Sequence, residues 1–349
     1  MRCPALKELP PPPAGKTGWP WTEESTPAPD VPASGEAWPR ISIVTPSYNQ
    51  SAFLEETIRS VLLQGYPKLE YFVVDGGSTD GSIEIIEKYS RWLTQWVSER
   101  DSGQTEAINK GFAWSGGDIL GYLNSDDVYF PSALVSSLEH ARKRDYLSRC
   151  ILSAPVQDIG DIETLLWHSN SDFGGLEQWL DGGVSLHQPG ILWTKALWGE
   201  CGPFRENLDF TFDRFFFATC FIKRARFFWS DKTRAGFRVH SQSKTSRFFF
   251  SGDGFVREWE EAKTLLESIL TPSQKANLVF RRHLTENWKL VGRALASEVG
   301  NSSDWHPLLA KVARQPWWFF HRPVGSALIR LSRSWIRSHR IGFRDGGTV

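Results

Sequence analysis

Three short polar clusters carry the residue types that nucleotide chemistry needs: TPSYN (45–49), DGGSTDG (75–81) and NSDD (124–127). Asp75 ends the apolar run LEYFVVD (69–75), where its carboxylate can accept the imino proton of a uracil, guanine or thymine. Tyr48 offers a flat face beside such a base. Asp126 and Asp127 are hard oxygen ligands suited to Mg²⁺ or Mn²⁺, with coordination positions left for a diphosphate. A bound cation of that kind offsets charge on a departing nucleoside diphosphate. Asp, Asn, Ser and Gly are ordinary loop residues, so any one cluster alone is a turn. Three of them, each after an apolar run, make a site. Neither GxGxxG nor GxxxxGK[ST] occurs, which removes the sequence support for dinucleotide and P-loop binding.

The runs before the clusters read as strands. ISIVT (41–45) is β-branched and stops at Pro46 and Asn49. SAFLEETIRSVLLQGY (51–66) places Phe53, Leu54, Ile58, Val61 and Leu62 at helical spacing, with Gly65 as the stop. LEYFVVD (69–75), TQWVSE (94–99) and DILGYL (118–123) are further strands, separated by helices at 82–93 and 105–114. Strand and helix alternating to about residue 145 predict an α/β open, mostly parallel sheet flanked by helices. Ligands bind such sheets at the carboxyl ends of the strands, where all three clusters fall. After residue 150, RCILSAPVQDI and ETLLWHS predict extra strands, 172–213 a loop-built pocket, and the chain beyond 252 is helical in pattern, with no internal repeat.

The 349 residues suffice for two domains, and 40% hydrophobic with 23% charged content is globular. Forty basic residues balance 40 acidic ones, so no global field recruits nucleic acid, and no nucleic-acid partner is expected. Four scattered cysteines without a CxxC pair argue against a zinc ribbon or disulfide scaffold and favour a reducing compartment. No apolar run approaches the ~18 residues of a membrane span, and no signal-peptide stretch occurs, so a cytoplasmic location is expected. Ten of 20 prolines fall in residues 1–39, predicting a mobile Pro-rich N-terminal tail, although Trp19, Trp21 and Trp38 argue for some contact with the domain. A catalytic domain is expected over 40–250 and a helical C-terminal extension over 251–349, ending in a basic aromatic tail. Residues 311–349 hold eight basic side chains against Asp345 alone. In SALIRLSRSWIRSHRI (326–341), Arg330, Arg333, Arg337 and Arg340 line one helix face, which suits an anionic membrane surface on the cytoplasmic side. Docking of the apolar face on the domain is the competing expectation.

ISIVTPSYNQ (41–50), VVDGGSTDGS (73–82), SERDSGQTEAINKG (98–111) and LNSDD (123–127) together resemble the family 2 glycosyltransferases. The resemblance covers about residues 41–245 and is strongest up to 131. It implies a GT-A (Rossmann-like) fold and transfer of a sugar from a nucleoside-diphosphate sugar to a glycan or lipid-linked acceptor, in polysaccharide or cell-envelope synthesis. It implies donor-binding roles for Thr45, Tyr48, Asp75, Gln104 and Asn124, with His240 or Lys244 of FRVHSQSKT (237–245) reaching the diphosphate. Asp80 is implied to be a loop and helix cap. The family's DxD falls on Asn124–Ser125–Asp126, so Asp126 is the expected main metal ligand, with Asp127 behind it and Mg²⁺ or Mn²⁺ as cofactor. In inverting members an acid at a helix start takes the acceptor proton. GPFRENLDFTFDRFFF (202–217) places Asp213 there, with Phe212 where many members have Glu and Asp209 as the competing candidate. HQPG (187–190) resembles the stretch beneath the acceptor side, and Trp179, Trp193 and Trp198 are candidates either for stacking on sugars or for the core.

Two other readings compete. A nucleotidyltransferase needs a Gly-rich first loop with Lys or Arg to cradle a triphosphate, and TPSYNQ has neither. A degenerate module that binds nucleotide or glycan without turnover is favoured by Asn124 and Phe212 and opposed by Asp126 with Asp213.

Overall fold

The computed structural model describes residues 1–32, 35–142, 148–159, 166–167, 176–180, 186–230, 232–240, 243–244, 254–279 and 282. The chain divides into two compact units, Met1–Leu270 and Thr271–Val349. In the second, residues 272–279 are helical, and Thr271 and Gln274 cap that helix reciprocally. The basic segment 326–341 lies outside the described residues.

The first unit opens with β1 (Ile41–Ser47), α1 (Ser51–Leu62), β2 (Leu69–Asp75), α2 (Ser82–Tyr89), β3 (Gln95–Ser98), α3 (Gln104–Trp114) and β4 (Ile119–Tyr122). These match the elements read from hydrophobic pattern, within a few residues. Then come β5 (Val128–Tyr129), α4 (Ala133–Arg142), β6 (Cys150–Ser153), β7 (Val156–Asp158), β8 (Leu166–Trp167) and α5 (Leu176–Leu180). The unit ends with β9 (Ile191–Thr194), α6 (Lys195–Cys201), α7 (Phe212–Ile222), β10 (Arg226–Trp229), β11 (Ala235–Phe237) and α8 (Gly254–Ser268).

The seven-stranded sheet has the order β10-β6-β9-β4-β1-β2-β3. Only β9 runs against its neighbours, pairing antiparallel with both β4 and β6. Parallel pairing of β1 with β2 and β4, and of β2 with β3, brings the polar carboxyl ends of these strands to one edge. All seven residues of β1 are buried, as a strand covered on both faces requires. α3 packs so closely on β1 that a Cβ on Gly111 would lie 2.5 Å from Val44 Cγ1. The second sheet, β5-β11-β7-β8, pairs β11 antiparallel with β5 and parallel with β7.

The proline-rich N-terminus, expected to be mobile, instead lies against this unit. Prolines donate no N–H, but their carbonyls accept, and a single buried arginine collects two of them. Arg59 is fully buried, donating to the carbonyls of Pro20 (3.0 Å), Pro10 (2.8 Å) and Trp21 (2.9 Å) and to the Tyr89 hydroxyl (3.0 Å). The terminal amine of Met1 reaches Leu69 O at 2.6 Å, and Trp38 is 2% exposed, edge-on to Tyr66. The tryptophans drive the packing and Arg59 fixes its place. Arg59→Ala leaves three buried carbonyls without a donor and is expected to lower stability by about 3 kcal/mol in urea denaturation. It should also open residues 10–21 to limited proteolysis, where the parent is protected.

Candidate functional site

The turn after β2 is organised by Asp75. Its carboxylate is fully buried and accepts Gly77 N–H (3.1 Å), Ser78 N–H (2.8 Å), the Ser78 hydroxyl (2.6 Å) and the Ser98 hydroxyl (2.7 Å). Gly77 sits at φ +80°, a conformation that glycine adopts without steric cost. One carboxylate thus ties the ends of β2 and β3 together. Asp80 plays a similar part on the rim. Although partial burial opposes it, bonds from Ser82 and Ser51 hold Asp80 below the usual carboxylate range, and they join the starts of α1 and α2.

The acidic loop after β4 is completed by residues more than a hundred positions away. β5 begins just after Asp127, and β11 ends just before Arg238. Their antiparallel register, Val128 opposite Gly236, therefore lays the second segment along the first. Arg238 donates its N–H to Asp127 Oδ1 (2.9 Å) and its Nε–H to Asp126 O (2.9 Å), pairs with Glu56 (3.1 Å) and stacks over Phe53. His240 Nε2 comes to 3.0 Å from Asp126 Oδ2, with its ring 4.6 Å from that of Phe53. The two adjacent acids have different fates. Asp126 faces the cleft, whereas Asp127 is fully buried, and burial, then the nearby Asp126, pushes its carboxyl well above the usual range.

A cleft of about 440 Å³ opens at the carboxyl edge of the sheet. Its walls include Tyr48, Arg100, Asp101, Gln104, Asn124, Asp126 and Lys244. Gln104 donates to Asn124 Oδ1 at 2.7 Å, and Asn124 reaches Asp127 at 3.3 Å. Lys244 closes one side, bonding Gln104 Oε1 (3.2 Å) and Asp209 Oδ1 (2.6 Å). Beyond this wall lies a second cavity of about 350 Å³, which shares Gln104, Asn124, Phe237 and Lys244 with the first. Gln188, Phe210, Phe212, Asp213 and Phe255 line it. Asp213, in the first turn of α7, is raised by burial against the lowering effect of Arg214 and Lys244.

Among the described residues no three His, Cys, Asp or Glu side chains converge as a metal cluster. Asp126 and His240 nevertheless put a carboxylate oxygen and an imidazole nitrogen side by side at the cleft, a donor pair that could hold a divalent cation.

Residues 42–179 match the family model described as Glycosyl transferase family 2. Over that stretch, about two fifths of the chain, the sequence is similar to this family. TuaG of Bacillus subtilis, named for teichuronic acid biosynthesis, is 34% identical over 110 residues, covering 30% of this chain and 43% of the relative. A glycosyltransferase of Rickettsia typhi is 25% identical over 258 residues, 72% of this chain and 77% of its own length. The match spans only about two fifths of the first curated relatives. Among solved structures, TarS 1–349 of S. aureus in complex with UDP-GlcNAc aligns with a TM-score of 0.55 at 18% identity, over 87% of this chain and 93% of that one. The mannosyltransferase PcManGT of Pyrobaculum calidifontis, in complex with GDP-Man and Mn²⁺, aligns with a TM-score of 0.52 at 16% identity, over 93% and 92%. These likenesses show the fold, which is GT-A.

Of the residues singled out in the sequence, the structure brings Tyr48, Gln104, Asn124, Asp126 and Lys244 into one cleft, with His240 against Asp126 and Asp213 in the adjoining cavity. It does not bring Thr45 there: the Thr45 hydroxyl is buried against Tyr71 at 3.0 Å. Asp75 and Asp127 also lie behind the wall, the former as turn organiser and the latter as anchor for Arg238. Trp179 and Trp193 are core residues, and Trp198 packs on Phe112. Arg100, Asp101 and Arg238 escaped the sequence reading. All three lie inside motifs singled out in the sequence, Arg100 and Asp101 in SERDSGQ with its Ser-Gly pair and Arg238 in FRVHSQSKT, so a signal existed. That Arg238 lies along the acidic loop follows only from the β5–β11 pairing. Asp75→Ala strips four donors of their acceptor and is expected to cost about 3 kcal/mol by urea denaturation. Thr45→Val, losing one hydroxyl contact, is expected to cost about 1 kcal/mol; equal losses would contradict the buried role given to Asp75.

Proposed function

We propose that this chain is an inverting glycosyltransferase that moves a sugar from a nucleoside-diphosphate sugar to a hydroxyl of a glycan or lipid-linked acceptor in polysaccharide or cell-envelope synthesis. The observation that carries the reading is the pair of cavities meeting at Gln104, Asn124 and Lys244, one ending in Asp126 and the other in Asp213. Solved neighbours of the same fold hold UDP-GlcNAc or GDP-Man, and the Bacillus relative is named for teichuronic acid biosynthesis.

The nucleoside packs along Tyr48 and the Arg100–Gly103 loop, and the diphosphate faces Asp126, His240 and Lys244. A divalent cation held by Asp126 and His240 would supply charge neutralisation for the leaving diphosphate. In the second cavity the acceptor oxygen attacks the anomeric carbon as its proton passes to Asp213. The anomeric carbon–oxygen bond breaks, its electron pair leaves with the diphosphate, and configuration inverts. Asp213 suits the base better than Asp209, which is 64% exposed and paired with Lys244. A binding module without turnover is favoured by Asn124, whose side chain is engaged by Gln104 and Asp127, and by Phe212, which lines the second cavity.

Nucleoside-diphosphate release from a panel of UDP- and GDP-sugars, with Mn²⁺ and simple alkyl glycosides as acceptors, separates the two. Turnover supports transfer; donor binding without turnover supports the module. Asp213→Asn is expected to cut turnover about 10²–10⁴-fold while donor affinity by calorimetry stays within about twofold. Asp213 acts ionised, and burial raises its proton affinity, so activity should fall with decreasing pH at a midpoint above the ~3.9 of a free aspartate. Asp126→Ala should abolish the Mn²⁺-dependent part of nucleoside-diphosphate binding and leave the metal-free part unchanged.

A further inference from the structure

α7 begins at Phe212, and the segment that leads into it is held from another helix. Glu258 of α8 takes Asp209 N–H on Oε2 at 2.9 Å. Its Oε1 takes Phe210 N–H (2.9 Å), Thr211 N–H (2.7 Å) and the Thr211 hydroxyl (2.6 Å). These amides lie at and just before the N-cap. The amides inside the first turn, which an N-cap side chain usually serves, belong to residues 212–214, where Asp213 Oδ1 itself takes Arg214 N–H at 2.6 Å. Thr211, the N-cap, makes no cap bond of its own; its hydroxyl turns to Glu258. The next residue grips the far side: Arg214 stacks on Trp259 at 4.3 Å, and Trp259 Nε1 is fixed on Leu180 O at 3.0 Å. Glu258 and Trp259 therefore hold residues 209–211 and 214, on both sides of Asp213. The same turn carries Asp209, the partner of Lys244 at the wall between the two cavities.

We propose that Glu258 is a positioning residue for the transfer reaction, fixing the turn that carries Asp213 and the Asp209–Lys244 pair. This rests on the assignment of Asp213 as base. An open helix amino end carries roughly half a positive charge and favours an ionised carboxylate in the first turn. The Glu258 carboxylate, bound to the N-cap and the two residues before it, places negative charge beside that end, opposes the pull and leaves Asp213 the stronger base. The other groups facing Asp213 are Arg214 on its own helix, Tyr122 from β4 and Lys244, with Asp209 and His187 in the same cavity. None of these is altered in the variants below.

The test follows the ¹³C signal of the Asp213 carboxyl, assigned by its loss in Asp213→Asn, through a pH titration of the full chain. Turnover of whichever UDP- or GDP-sugar supports release is measured in parallel. Glu258→Gln is expected to lower the Asp213 midpoint by about half a pH unit. It should also lower kcat at least about tenfold with donor KM nearly unchanged, as misplacement of a reacting group does. Glu258→Asp keeps the charge, so the midpoint should stay and part of the rate return. An unchanged midpoint and kcat in folded Glu258→Gln, with only a lower melting temperature, would reduce Glu258 to a stability role and overturn the proposal. Should that variant not fold, Thr211→Val removes one of the four bonds and is expected to lower kcat about threefold; an unchanged kcat overturns the proposal equally. Full turnover in Asp213→Asn would instead remove the base assignment itself.

Discussion

The antiparallel register of β5 against β11 is the constraint on which the site depends. A parallel sheet can bring the ends of β1, β2, β3 and β4 to one edge, but it cannot place a cation or an imidazole opposite the loop after β4. The short ladder does so: Val128 faces Gly236 and Tyr129 faces Ala235. Phe130 N–H to Arg234 O extends it at one end, and Arg238 N–H to the Asp127 carboxylate extends it at the other. Asp127 is therefore a structural acid. Its burial is costly, and that cost holds Arg238, and with it His240, against Asp126.

The same economy recurs around the site. Arg59 and Glu258 each gather three backbone groups from segments distant in sequence, and Asp75 gathers two amides of its own turn together with the hydroxyls of Ser78 and Ser98. Each uses charge-assisted bonds where regular structure ends and backbone groups lack partners. The loops that touch substrate in the proposed reaction are thus tied to rigid elements at one or two side chains. Lys244, Gln104 and Asn124 are the half-buried remainder, forming the wall between the two cavities.

Much of this was legible in the sequence because parallel strands are buried on both faces and announce themselves as β-branched runs, with their polar ends necessarily on one edge. Orientation was not legible. β1 is buried throughout, so alternation could not tell that Thr45 turns toward Tyr71 while Tyr48 reaches the cleft. Asp126 and Asp127 are neighbours in a tight loop, and only the β11 segment decides which one points outward. Proline density correctly excluded α-helix and strand from residues 1–32, where Leu6–Glu8 form a single 3₁₀ turn, but says nothing about packing, which Arg59 and the tryptophans determine. Glu258 is one acid on an amphipathic helix, and nothing local distinguishes it from its solvated neighbours Glu260 and Glu261.

The central claim is that the two cavities hold the two substrates of one displacement, with Asp213 facing the bond that forms. A crystal structure of the chain with a non-hydrolysable phosphonate analogue of a turned-over nucleotide sugar and Mn²⁺ tests it directly. The account predicts the nucleoside along Tyr48, the diphosphate analogue between Asp126 and Lys244, and the anomeric carbon opening toward Asp213. A sugar ring directed away from the Phe210–Asp213 cavity, or a nucleotide bound outside the cleft, would contradict it.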